Sequence, residues 1–184
     1  MNPMSTPARG LLYLFLVFLS FLFSCAASRN VMEPGTARMI EGIPFFPQEI
    51  YQCGPASMAG VLNYWGAEAS PEVIAEEIYS KSAKGTLTVD MVIYARKKGL
   101  EAVQYEGSIT DLKKNIDMGY PLILLVDYGF WVYQQNHFMV VVGYNRDGII
   151  VNSGRDRNKV ISVNDFLKPW NKTDRWSLLI RPRR

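Results

Sequence analysis

Residues 53–65 read CGPASMAGVLNYW, and this stretch decides how the rest of the chain is read. Met58, Val61, Leu62 and Trp65 recur at the i, i+3, i+4, i+7 spacing of one helical face. Pro55 suits a first turn, where its missing N–H costs nothing, and Gly66 suits the stop. The spacing predicts a helix over 53–65 that opens on Cys53. A thiol at a helix start has a chemical advantage. The free thiol pKa is about 8.5, and the unpaired N–H groups and dipole of a helix N-terminus favour the thiolate.

Working outward, three more helices follow. One begins at Ser70 as N-cap with Pro71 in its first turn and runs to about Ser80, with Val73, Ile74 and Ile78 as its stripe. The next spans Thr88 to Lys98 with Gly99 as its stop, and Arg96, Lys97 and Lys98 complement its C-terminal dipole. The last runs from near Thr110 to Gly119, with Leu112 and Ile116 inward. Then the period changes. Leu122–Val126 and Phe138–Val142 are apolar runs of strand length, and Asn145-Arg146-Asp147-Gly148 is a turn signal. Ile149–Val151 reads as a returning strand that ends at Asn152. Ala102–Tyr105, Lys159–Val163 and Trp176–Ile180 are shorter strands. Helices first and strands later give an α+β class, an N-terminal helical half packed on a C-terminal antiparallel sheet.

The first residues read as an address. Residues 11–23, LLYLFLVFLSFLF, carry no charge, Arg9 precedes them and no acid occurs before Glu33. A basic segment followed by such a run is the design of a secretory signal. As a helix it rises only about 20 Å, short of a bilayer core. The run ends Leu22-Phe23-Ser24-Cys25, which resembles a bacterial lipobox. The expectation is a signal peptide over 1–24, lipid on Cys25, a tether over 25–42 and a catalytic domain over 43–184. The location expected is extracytoplasmic and membrane-anchored. An ordinary signal peptide cut near Ala26-Ala27-Ser28, or an uncleaved anchor, is the alternative.

Composition narrows the chemistry further. The chain has 184 residues, 2 Cys, 1 His and a formal charge of +3. One His and two Cys leave no protein-built zinc site and no disulfide framework, so no metal is expected. The charge is too small to argue for nucleic acid, and no Gly-rich phosphate loop is present, so no cofactor is expected. With Cys25 assigned to lipid, Cys53 is the remaining thiol and His137 the one imidazole.

Those two residues fit a nucleophilic mechanism. His137 starts a strand and is the candidate to take the Cys53 proton. An Asn or Asp must orient the ring. Asn152, at the end of the returning strand, lies towards the same open end of the expected hairpin. Ser153 and Asp156 are substitutes. The oxyanion needs donors. The Cys53 N–H is one, and the Gln48 side chain, folding back across the loop, is better placed than Gln52 for the other.

Gln48 to Ser57, followed by His137-Phe-Met-Val-Val-Val-Gly143-Tyr144-Asn145, resembles the double-glycine leader peptidases of bacteriocin exporters and their stand-alone relatives. These are papain-like cysteine peptidases. The likeness spans 43 to about 180. It implies a papain-like fold, a peptide or protein substrate, Cys53 as nucleophile, His137 as general base, Gln48 as oxyanion donor and Asn152 as orienting group. Three departures stand out. Gln52 occupies a place the exporters usually give to an acid. The strand ends Asn152-Ser153-Gly154 where they have an Asp-Pro pair. The step from Gln48 to Cys53 is one residue shorter than the papain-like spacing. No ATPase motif follows in this sequence, so the expectation is a peptidase that is not itself an exporter.

Other readings stay open. An acyltransferase could use the same Cys and His, and a non-catalytic lipoprotein could keep the fold to bind a peptide or protein. Tyr128, Phe130, Trp131 and Tyr133 either wall a substrate groove or pack under a long loop.

Overall fold

The computed structural model describes residues 37–47 and 52–183. The stretch that opened the reading becomes α1, Cys53–Tyr64. It is buried on every side from Gly54 to Leu62, not along one stripe. Small residues explain this. A Cβ on Gly54 would stand 2.6 Å from Thr86 Cβ, and one on Gly60 would stand 2.9 Å from the Pro44 carbonyl oxygen. Gly, Ala and Ser give α1 flanks that neighbouring backbone can approach, so it sits in the interior.

The helical half continues as α2 (Pro71–Ile78), α3 (Thr88–Lys97) and α4 (Ile109–Asp117). The Ser70 and Ser108 hydroxyls cap α2 and α4 by accepting the Val73 and Asp111 N–H groups. Gly99 and Gly119 lie at φ 85° and 77° just past α3 and α4, the left-handed stop that favours glycine. Two expectations are corrected here. Val73 faces solvent, and α2 ends at Ile78 because Tyr79–Ser80 (β2) pairs with Gly85–Thr86 (β3) as a small hairpin.

The main sheet is antiparallel throughout, in the order β4 (Leu100–Glu106), β9 (Trp176–Pro182), β5 (Leu122–Asp127), β6 (Asn136–Tyr144), β7 (Ile149–Ser153), β8 (Asp156–Ile161). β1 (Arg38–Met39) pairs with Tyr144 and Gly143 at the far end of β6. Residues expected to belong to the tether are thus joined to the sheet, with Ile40 and Ile43 in the core. Gly143 is required there, since a Cβ would stand 2.6 Å from the Arg38 carbonyl oxygen.

α5 (Val163–Asn171) falls where a strand was expected to end. The Ser162 hydroxyl accepts the Asp165 N–H, and Phe166 and Trp170 are fully buried. α5 packs on β5 and α1 packs along β6. The Trp65 indole donates to the Ile180 carbonyl at 2.8 Å, which ties the end of α1 to β9. Among the described residues no helix is long and apolar enough to cross a membrane.

Candidate active site

Cys53 is the first residue of α1. Gln52 stands at the cap, exposed, and makes no side-chain bond to the first turn, which also carries no acid. The first-turn donors therefore remain for the sulfur. Burial is the largest influence and pushes the thiol above its ordinary pKa; the backbone N–H groups of Phe138, Gly54 and Cys53 itself favour the thiolate and offset only part of that rise.

His137 is the second residue of β6, with its ring half-buried. Burial pushes the imidazole below its ordinary pKa. Its Nε2 lies 3.0 Å from Ser153 Oγ. The Tyr128 ring centroid lies 6.0 Å from that of the imidazole. With Nε2 engaged by Ser153, Nδ1 is the nitrogen left for the nucleophile. Cys53 and His137 line one open cleft of about 800 Å³. Thr86 on β3, Tyr128, Gln135 and Gly154 also line it. Thr86 Oγ1 is buried there without a hydrogen-bond partner.

Asn152 is not the partner of the ring. It is buried, and its Oδ1 accepts the Asn158 N–H at 2.9 Å. It lines a separate small cavity with Met39, Ile43 and Val142. The cause is a β-bulge. Near the turn, Tyr144 pairs with Ile149 and Gly143 with Ile150. Counted straight on, Asn152 would stand opposite Val141, on the face of His137. The register slips by one between Val141 and Gly143, so that Asn152 pairs with Val140. A one-residue slip moves a side chain to the other face. Asn152 leaves the face of His137, and Ser153 joins it as a diagonal neighbour. Asp156, the other substitute, is exposed and pairs with Lys159 at 2.8 Å. Gln48 and Cys25 lie outside the described residues.

A half-buried thiol on a helix start and a half-buried imidazole on a strand start, facing one cleft of an α+β fold, define the class: a papain-like cysteine peptidase fold. The chain belongs to the Peptidase_C39 like family, whose model matches residues 40–178. Among solved structures, the peptidase domain of Streptococcus ComA, a bi-functional ABC transporter involved in quorum sensing, is similar with a TM-score of 0.66. It is 24% identical, and the match covers 77% of this chain and all of that one. A putative C39-like peptidase from Bacillus anthracis is similar at TM-score 0.68 and 16% identity, over 80% of this chain and 98% of the other. A double glycine motif protease from an AMS/PCAT transporter, solved with its leader peptide, is similar at TM-score 0.61 and 24% identity, over 79% and 96%. At these identities the likeness is one of fold. An uncharacterized protein of Methanothermobacter thermautotrophicus is 33% identical over 79 residues, 43% of this chain. The match spans about half the length of that relative (51%).

Proposed function

We propose that this chain is a cysteine peptidase, held outside the cytoplasm by lipid on Cys25, that hydrolyses a peptide bond through a thioester on Cys53. One observation carries the catalytic part: Cys53 and His137 face a single cleft with the ring held by Ser153. Both pKa displacements run against a resting ion pair, so the site rests as thiol and neutral imidazole. His137 Nδ1 takes the thiol proton as the sulfur attacks the substrate carbonyl carbon. The carbonyl π pair moves to oxygen, where the Cys53 N–H and the Gln48 amide are the donors. The C–N bond then breaks and the amine leaves with the proton from His137. Water attacks the thioester, gives its proton to the same nitrogen, and releases the acid and the thiol.

Ser153 is a positioning residue in this scheme. With Nε2 protonated, the ring donates to Ser153 Oγ, which leaves Nδ1 as the acceptor. The test is hydrolysis of a mixed peptide library read by mass spectrometry. New termini with wild type and none with Cys53→Ala support the reading. Equal cleavage by both, or by neither, rejects it. In the second case the binding lipoprotein is the better account. The lipid is tested separately, by the mass of the N-terminal fragment.

A further inference from the structure

The loop between β5 and β6 is firmly built at its base and apolar at its tip. The Asp127 carboxylate accepts the Gly129 N–H at 2.7 Å and the Gln135 N–H at 2.8 Å, and the Tyr128 N–H donates to the Gln135 carbonyl at 3.0 Å. The tip then exposes four large apolar side chains in a row. Phe130 is 85% exposed, Trp131 90%, Val132 70% and Tyr133 78%. Trp131 sits at φ 55°, a conformation a bulky residue rarely adopts, with the turn closed by the Tyr133 N–H on the Phe130 carbonyl. A tip that served only to pack would bury these rings.

We propose that this tip inserts into the interfacial layer of a phospholipid bilayer and holds the cleft against the membrane surface. The residue types fit that medium, since Trp and Tyr with an apolar neighbour place an apolar body in lipid and a polar atom at the headgroups. The charge fits as well. Residues 128–136 carry none, and the Lys172 ammonium stands at the base, 2.6 Å from the Gly129 carbonyl oxygen. Lys84, which lines the same cleft, adds a second cation. The Asp127 carboxylate is buried and held by the Gly129 and Gln135 N–H groups, so it is withdrawn from the tip.

The length of chain ahead of the fold permits it. β1 enters at the Tyr144 end of β6, opposite the loop, and a nine-residue strand sets the two ends about 30 Å apart. The residues from Cys25 to Arg38 span up to about 45 Å when extended, enough for a lipid on Cys25 and the loop tip to reach one bilayer. The inference rests on the anchor reading for this proximity and is independent of the peptidase reading.

The test uses the full chain in vesicles of phosphatidylcholine and phosphatidylglycerol in equal parts, with acyl chains brominated near the headgroup to quench indoles in contact with lipid. Trp170 is fully buried, and Trp65 and Trp176 are partly buried, so Trp131 is the indole presented to lipid. Wild type is expected to be quenched. Trp131→Phe should lose that quenching. Phe130→Ser with Val132→Ser should keep the indole and its fold, read by circular dichroism, and lose most of the quenching. Equal quenching of wild type and Trp131→Phe overturns the proposal. So does a chain that pellets with vesicles while Trp131 stays unquenched. Concentration-dependent shielding of Trp131 from acrylamide without lipid also overturns it, since a second copy then covers the tip. Failure of the anchor reading shows separately, as the absence of lipid mass on Cys25.

Discussion

The start of α1 and the start of β6 supply the two halves of the site, and they do so by different means. Cys53 is served by backbone: three main-chain N–H groups favour its thiolate. His137 is served by a side chain, the hydroxyl of Ser153. Backbone donors come with the helix and with the strand beside it, and tolerate sequence change. A side-chain partner depends on one residue and on which face of a strand that residue occupies. The two halves share one influence, burial, which pushes the thiol up and the imidazole down. The comparison therefore predicts a neutral resting pair whose Cys side is robust and whose His side is easily altered.

The largest test removes either half outright. Cys53→Ala and His137→Ala should each lower library hydrolysis by at least ~10³-fold, because members of such a constellation act as a unit. If His137→Ala keeps more than about a tenth of wild-type hydrolysis, a loss of only ~1.4 kcal/mol in barrier, the pairing across the cleft is wrong.

The next test sets the two adjacent residues of β7 against each other. Ser153→Ala should cost about 10–100-fold in kcat/KM, the scale of a misplaced reacting group, with Tm almost unchanged. Asn152→Ala should do the reverse. It removes a buried acceptor of the Asn158 N–H and should cost about 1–2 kcal/mol of stability while leaving hydrolysis nearly intact. Lower activity in Asn152→Ala than in Ser153→Ala would return Asn152 to the orienting role.

That pair also shows where reading the sequence stops. The helix over 53–65 was legible because period, Pro55 and Gly66 agree, and so was the placement of Cys53 at its start. His137 at a strand start was legible from the apolar run behind it. The partner of the ring was not, because face depends on register and the register is broken by a bulge at Val142 that no turn residue announces. α5 opens on a capping pair, Ser162 and Asp165, but Pro169 lies inside it and the run Lys159–Val163 before it has the length of a strand. The β2–β3 hairpin is two residues a side, below what alternation can reveal. Gln48 and Cys25, named from pattern, lie outside the described residues, so the oxyanion donor and the anchor rest on sequence.

A smaller effect separates a hydroxyl partner from a charged one. Catalysis in wild type needs the neutral imidazole. Burial depresses its pKa, so the neutral form persists to lower pH than in an ordinary histidine. The acid limb of the kcat/KM profile should then lie below about 6.5, the ordinary value. Ser153→Asp puts a carboxylate beside Nε2, favours the imidazolium and should move that limb upward by about 1–3 units. A limb that stays in place would mean that the residue at 153 does not sense the ring's charge.

The smallest expected effect lies on the Cys side, where only a direction is predicted. Iodoacetamide reacts with thiolate, so its rate against pH follows the ionisation of Cys53. Burial raises that pKa, so below it the folded chain holds less thiolate than the unfolded one, and the alkylation midpoint should move down when the chain is unfolded in denaturant. The main-chain N–H groups set a limit on the difference, since all three favour the anion. His137→Ala should barely change the folded midpoint, because a neutral ring adds no charge beside the sulfur. A large rise of the midpoint in His137→Ala would instead reveal a resting thiolate–imidazolium pair. The two halves would then be coupled through charge, and burial would no longer be what sets the state of either.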